Sequence, residues 1–168
     1  MITKTLTSLV GAALLMGSSV VAADNGWYAE AQYQSLDISE DGLSVDLGAM
    51  GIVLGRDLTE NIAIELVAGL GAGDDSVDGI KVEVDRYVGL VVKPNMDINE
   101  QFNIFLDLGY VDIQLEASAG GESLKDSSSE FMWGVGGEVS FNENMFGTIG
   151  YSDIDGADGV QLSIGLRF

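Results

Sequence analysis

From about residue 26 onward, the chain alternates apolar positions with polar or small ones along most of its length. The clearest example is residues 160–168, in which every even-numbered position is apolar and every odd-numbered position is polar or small. A period of two is the signature of a β-strand whose two faces meet different surroundings. About nine to eleven residues is also the length of a tilted strand that crosses a bilayer. The pattern therefore predicts strands of membrane-spanning length.

Seven earlier segments alternate in the same way between turn-forming residues, so we predict eight strands. In residues 44–58 both faces carry apolar residues, and the sequence leaves the facing of this strand open. The facing of residues 80–94 is also open, because Arg86 interrupts one apolar row and Lys93 lies in the other. The predicted strands are residues 26–35, 44–58, 62–71, 80–94, 102–116, 130–141, 145–153 and 160–168.

The connections between these strands alternate in character. Three are short, at residues 59–61, 95–101 and 142–144, and the others are acidic and contain Gly. Every second connection belongs to the same set, so all short turns lie at one end of an up-and-down meander, as in outer-membrane barrels. We predict an all-β fold, an eight-stranded antiparallel up-and-down transmembrane β-barrel. The acidic connections are residues 37–42, 73–79, 117–129 and 153–159.

Aromatic residues fall near the ends of the predicted strands. Two rings of such residues are what a barrel places at the two membrane interfaces. The alternative is that they cap an ordinary sandwich core, but the polar opposite face of the strands favours the interfacial interpretation. The predicted interfacial aromatics are Trp27, Tyr110, Phe131, Trp133 and Phe141.

The first 23 residues have a different pattern. Lys4 gives a positive start, an apolar stretch follows at residues 9–16, and Val21-Ala22-Ala23 is a small-residue cleavage site. We predict a secretory signal peptide at residues 1–23, removed before Asp24, and a barrel domain at residues 24–168. The apolar stretch is too short for a membrane-spanning helix, which needs about 20 residues.

Composition excludes several classes of function. The chain has no Cys and no His, so disulfides, Cys/His metal sites and Ser-His-Asp triads are excluded. Its formal net charge is −20, which argues against nucleic acid as a partner because phosphate binding needs a basic face. We predict no cofactor and no enzymatic activity.

The chain resembles the small eight-stranded outer-membrane barrels of the OmpA/OmpX type, the outer membrane protein β-barrel domain family. The local marks are residues 165–168, the turn at residues 57–61 that leads into residues 62–66, and Leu108-Gly109-Tyr110. The resemblance covers about residues 24–168 and implies the Gram-negative outer membrane as the location. It also implies that the last strand carries the signal read by the barrel-assembly machinery. The residues of this signal are Leu162, Ile164, Leu166 and Phe168.

Charged residues lie in the polar rows of the predicted strands. If these rows point inward, the charges share a lumen that side chains nearly fill, and buried charges must be paired. We favour a structural ion-pair plug over a gate or proton path. Because the acids outnumber the bases, the sequence leaves three arrangements open. Arg86 joins the network, some carboxylates lie at the water-filled ends of the barrel, or one carboxylate is protonated. The predicted network is Glu30, Glu65, Lys93, Asp107, Glu138 and Arg167.

The acidic connections also raise the question of calcium, because hard cations prefer clustered oxygens. Asp153, Asp155 and Asp158 are the best candidates, but their spacing does not match an EF-hand loop. We predict no specific metal site here. A looser role fits better, in which divalent cations bridge the acidic loops to anionic lipopolysaccharide.

These observations favour a monomeric outer-membrane barrel with a structural or envelope-interaction role, which displays short acidic loops. The first alternative is a narrow porin-like channel for small solutes or ions. The second is a soluble lipocalin-like barrel that binds an apolar ligand, which requires the apolar rows to face inward.

Overall fold

The structure, a computed structural model, describes residues 26–40, 43–77, 80–119 and 122–168. The predicted signal peptide at residues 1–23 lies outside the described residues. In the described part, no helix is long and apolar enough to cross a membrane. The described strands are β1 (Trp27–Glu40), β2 (Leu43–Thr59), β3 (Ile62–Gly71), β4 (Asp74–Val77), β5 (Ile80–Asp97), β6 (Phe102–Ala119), β7 (Glu122–Ser140), β8 (Met145–Ile154) and β9 (Ala157–Arg167).

The strands form one closed antiparallel barrel. β3 and β4 both pair with β5 and act as one interrupted barrel strand. The described strands therefore form an eight-stranded barrel. β9 closes the barrel by pairing with β1, with Ile164 opposite Ala31. The predicted fold class is confirmed, and the third predicted strand has the observed bounds of β3.

The apolar rows of the strands face outward. In β3, Ala63, Glu65 and Val67 are buried in the lumen, whereas Leu66 and Leu70 are 51% and 60% exposed. This is the opposite of the arrangement that the lipocalin-like alternative requires. A barrel with apolar outer rows presents a surface that suits lipid.

The structure resolves the two strands whose facing was open. In β2, Leu47 and Val53 are buried in the lumen, and Ile52 and Leu54 face outward. Both rows are apolar because the inward row packs into an apolar cluster of the lumen.

In β5, a β-bulge changes the facing within the strand. The register with β6 shifts between Val84 and Arg86, so that Asp85 is the extra residue. Val84 is therefore buried, whereas Arg86 and Val88 face outward. The even-numbered residues of this segment therefore do not share one face, because a bulge moves all later side chains to the other face.

The acidic connections are shorter than predicted. Most of residues 117–129 belongs to β6 and β7, and residues 37–42 and 153–159 are also mostly strand. Outside the membrane both strand faces meet water, so the alternation in sequence disappears while the backbone pairing continues. The acidic residues are therefore mainly carried on strand ends instead of long loops.

An apolar layer fills the lumen toward the end that carries these long hairpins. Its members pack as one cluster of buried side chains, and Tyr87 is the largest of them. A smaller cluster of Tyr28, Ala63 and Phe146 lies toward the end with the short turns. The apolar layer consists of Leu36, Leu47, Ala49, Val53, Val67, Val84, Tyr87, Val91, Val111, Met132 and Ile154.

Candidate functional site in the barrel lumen

Lys93 is the centre of a buried ion-pair cluster in the lumen. Its Nζ contacts Glu65 Oε1 and lies 3.7 Å from Glu30 Oε1. The three residues come from β5, β3 and β1, where inward-facing positions of the strands converge. Their side chains are between 3% and 11% exposed, so these charges are largely removed from water.

Hydroxyl groups and aromatic rings hold this cluster in place. Tyr28 donates a hydrogen bond of 2.7 Å from its hydroxyl to Glu65 Oε1, and the Ser163 hydroxyl donates to Glu30 Oε2. The Lys93 ammonium lies 4.5 Å from the centre of the Phe105 ring, within the range of a cation–π interaction. The sequence alone does not single out Tyr28, Ser163 or Phe105, although each lies in the more polar row of its strand.

Asp107 belongs to a separate hydrogen-bonded chain in the lumen. Gln161 donates from Nε2 to Asp107 Oδ2 at 2.9 Å, and Gln161 Oε1 accepts from Gln32 at 3.0 Å. Among the described residues, Asp107 Oδ1 and the Tyr87 hydroxyl have no hydrogen-bond partner. Both residues line an inner cavity of about 30 Å³, which has room for about two water molecules.

The other predicted network residues lie elsewhere. Arg167 forms an ion pair with Glu138 near the short-turn end, and its guanidinium lies 4.1 Å from the centre of the Phe146 ring. Arg86 faces outward, so it does not join the network in the lumen. The structure thus divides the six predicted residues into a central cluster, the separate Asp107 and a pair at the mouth.

Two cavities meet at the central cluster. A vestibule of about 540 Å³ opens at the short-turn end and is lined by Asp57, Glu138, Arg167 and Lys93, among others. The inner cavity lies on the other side and is lined by Glu65 and Asp107. The Lys93–Glu65 pair therefore lies between the vestibule and the inner cavity, and the rest of the inner cavity is lined mainly by the apolar layer.

The predicted interfacial aromatics lie on the outer surface of the barrel. Tyr110 packs edge-on against Phe131, with ring centres 5.6 Å apart, and Trp133 packs against Tyr151. These rings lie toward the hairpin end, whereas Trp27 and Phe141 lie toward the short-turn end. On β6, Phe102 and Tyr110 are separated by about 26 Å of strand at about 3.3 Å per residue, or about 20 Å along the barrel axis for the usual tilt.

The acidic candidates for a metal site form part of a hairpin turn. Asp155 and Gly156 have φ values of 50° and 85°, the positive values of a two-residue hairpin turn. The N–H of Gly156 donates to Asp153 Oδ1 at 3.3 Å. In the described part of the chain, no group of three acidic side chains is arranged to hold a metal ion.

Carboxylates also follow one another across four neighbouring strands. The strand register pairs Asp46 with Asp37, Asp37 with Asp158, and Asp158 with Asp153. All four occupy positions in the outward rows, at or just beyond the aromatic residues of the hairpin end. We call this group the acidic row.

Comparisons with known proteins agree with this architecture. Neisserial surface protein A is 16% identical over 85% of this chain and 97% of its own, with a TM-score of 0.64. The N-terminal barrel domain of Pseudomonas aeruginosa OprF is 14% identical over 86% and 98%, with a TM-score of 0.62. Ail of Yersinia pestis is 16% identical over 86% and 99%, with a TM-score of 0.60. At these identities, the likeness concerns the fold alone.

A comparison with curated protein sequences gives no match. The family model described as outer membrane protein beta-barrel domain matches residues 8–168, which is nearly the whole chain. The closed eight-stranded barrel, the outward apolar rows and this match together establish that the chain belongs to the outer membrane protein β-barrel domain family.

Proposed function

We propose that this protein is a non-conducting outer-membrane barrel with a structural and envelope-interaction role. The observation that supports this most directly is the Lys93–Glu65–Glu30 cluster, which fills the lumen with paired charges. The apolar layer forms a second obstacle behind it. An eight-stranded barrel is only wide enough for its own side chains. Here they occupy the lumen at two levels, the ion-pair cluster and the apolar layer.

The orientation follows from the connections. Short turns of outer-membrane barrels face the periplasm and longer connections face outward, so the vestibule opens to the periplasm. We propose that the chain reaches this membrane after cleavage behind Ala23, and that the assembly machinery reads Leu162, Ile164, Leu166 and Phe168. Closure of β9 on β1 leaves no open sheet edge within the membrane, which suits a monomer.

Lipopolysaccharide is the proposed lipid partner. The acidic row faces outward just beyond the aromatic residues, at the level where lipid phosphates and their divalent counterions lie. Four neighbouring carboxylates concentrate oxygen ligands and negative charge on this face, which hard divalent cations favour. We propose that they join the shared cation layer of the outer leaflet, which does not require a separate metal site.

A narrow channel is the second candidate function. It is favoured by the vestibule of about 540 Å³ and by the inner cavity directly beyond the Lys93–Glu65 pair. Movement of Lys93 would join the two spaces, but the apolar layer would still separate them from the outside. Among the described residues no lumen group suggests catalysis, and we propose no enzymatic activity.

Electrical recording in planar lipid bilayers tests the main proposal. Purified barrel, folded as judged by its heat-modifiable gel mobility, is expected to give no stepwise currents. Regular current steps that scale with salt concentration would support the channel instead. Cell fractionation adds an independent check, because recovery in the soluble periplasm without a mobility shift would contradict the membrane assignment.

A further inference from the structure

The buried charges of the lumen do not balance. When ionised, the buried charged side chains of the described residues carry three negative charges and one positive charge. The Glu138–Arg167 pair at the mouth adds one charge of each sign, so it leaves this excess unchanged. Buried charges must be paired, coordinate a cation or take up a proton. The buried charged residues are Glu30, Glu65, Asp107 and Lys93.

Two polar atoms without a partner belong to side chains that line the same inner cavity. Asp107 Oδ1 and the Tyr87 hydroxyl have no hydrogen-bond partner among the described residues, so they do not bond each other either. The two residues are 3% and 9% exposed, and both line the cavity of about 30 Å³. A group held in this cavity can therefore satisfy both atoms.

We propose that the inner cavity binds one small monovalent cation of the Na⁺ class. Asp107 Oδ1 is its charged ligand, and the oxygen of the Tyr87 hydroxyl is a neutral ligand. The cavity has room for about two water molecules, which is enough for a sodium ion and one water that it keeps. The proposal concerns the folded lumen, and it does not depend on whether the barrel conducts or on which lipid surrounds it.

The glutamine side chains of the cavity add neutral oxygen atoms. Gln32 donates from Nε2 to Gln161 Oε1 at 3.0 Å, and Gln34 donates from Nε2 to Ser152 Oγ at 2.8 Å. Both Gln32 and Gln34 line the cavity. With their amide nitrogens bonded to other partners, their carbonyl oxygens remain as ligands, and hard cations prefer oxygen ligands.

The charge of the lumen favours a cation over water alone. Water molecules would complete the hydrogen bonds of Asp107 and Tyr87 but would leave the excess of negative charge in place. Glu65 also lines the cavity, so a cation there lies beside two of the three buried carboxylates. The rest of the wall is mainly apolar, and a low dielectric strengthens this attraction.

A monovalent ion suits this site better than a divalent one. In the described part of the chain, no three acidic side chains are grouped to hold a metal ion. The inner cavity instead combines the unpartnered oxygen of one carboxylate with hydroxyl and amide oxygens. A single positive charge also reduces the excess without reversing it.

Equilibrium unfolding of the barrel in lipid vesicles tests the proposal, with Na⁺ as the probe. N-methyl-D-glucamine chloride replaces sodium chloride at constant pH and ionic strength, so that screening of the surface carboxylates stays the same. Above its Kd, a ligand of one folded-state site lowers the unfolding equilibrium constant about tenfold for each tenfold rise in its concentration. We expect this dependence for the natural chain. An unfolding constant that does not change with Na⁺ would mean that water or a proton occupies the site, and would overturn the proposal.

Variants show whether the cation binds at Asp107. Asp107→Asn keeps the shape of the side chain but removes its charge, and it is expected to abolish the Na⁺ dependence. In Na⁺-free medium this variant should be more stable than the natural chain, because an uncompensated buried charge is gone. Tyr87→Phe should keep the dependence but shift it to higher Na⁺ concentrations.

Asp158→Asn is the matched control, since it removes a carboxylate of the outward acidic row. It should respond to Na⁺ as the natural chain does. If folded Asp107→Asn keeps the Na⁺ dependence, or if Asp158→Asn loses it, the cation binds elsewhere and the proposal is wrong. If Asp107→Asn does not fold, as judged by its heat-modifiable mobility, Tyr87→Phe decides, and an unshifted dependence in that variant contradicts the proposal.

Discussion

Lys93 on β5 contacts Glu65 on β3, and this ion pair lies between the vestibule and the inner cavity. The two residues are diagonal neighbours, since Lys93 is opposite Ala63 and Glu65 is opposite Val91. The Tyr28 hydroxyl and the Phe105 ring contact the pair, so its buried charges are held by several neighbours. Removal of one partner is therefore expected to affect the stability of the barrel.

Replacing Lys93 by Met is expected to destabilise the barrel by about 3–5 kcal/mol, because breaking a buried pair leaves an uncompensated buried charge. The measurement is urea unfolding in lipid vesicles. Lys125→Met, which breaks two ion pairs near the surface, is the control and should change the unfolding free energy little. Adding Glu65→Gln to Lys93→Met should recover part of the loss. If Lys93→Met is as stable as the natural chain, Lys93 does not neutralise the cluster.

The sequence predicted the fold and the inward rows well, because alternation records which strand face meets lipid. It predicted Glu30, Glu65 and Lys93 as lumen charges, but not that Asp107 and the Glu138–Arg167 pair lie apart from them. Position along the barrel axis depends on strand tilt and stagger, which a single sequence does not reveal. The bulge at Asp85 was also missed, since one extra residue leaves no mark in an apolar row.

Lys93→Ala is expected to remain electrically silent in planar bilayers. The substitution joins the vestibule to the inner cavity, but the buried side chains of Leu36, Leu47 and Met132 still close the outer half of the lumen. Matched recordings of the natural chain at the same protein concentration provide the baseline. Stepwise currents from Lys93→Ala would mean that the ion-pair cluster is the only effective barrier.

Gly165 provides space for the ring of Phe146 on the adjacent strand. A Cβ at Gly165 would collide with this ring, whereas a Cβ at Gly137 would have only Asn103 O within contact range, at 3.7 Å. Gly165→Val is therefore expected to destabilise the barrel by about 1–3 kcal/mol, the usual effect of overpacking. Gly137→Val is the matched control and should cost less, as measured by the same unfolding assay. Equal losses would indicate a general intolerance of larger residues.

Lys125 lies outside the membrane, and its hydrogen bonds to Asp85 and Glu116 raise the pKa of its ammonium. A raised pKa in the folded state means that the contribution to stability is present below the unfolded pKa, about 10.4, and is lost as the pH rises through the folded value. NMR titration of ¹⁵N-labelled lysine should show the Lys125 ammonium losing its proton at a higher pH than an ordinary exposed lysine. Asp85→Asn should move its pKa back toward the ordinary value, and an unchanged titration would contradict the contact.

Ile164 lies near the middle of β9 and faces outward with half of its side chain exposed, whereas Val160 lies on the same face near the outer aromatic residues. If this face meets lipid, an Arg at the bilayer midplane costs about 2–4 kcal/mol and one near the interface costs about 0–1 kcal/mol. Ile164→Arg should therefore destabilise the barrel far more than Val160→Arg in vesicle unfolding experiments. The two sites share the same strand, face and exposure, so strand propensity and loss of an apolar side chain are closely matched. Equal effects would mean that depth does not matter and that β9 does not lie across a bilayer.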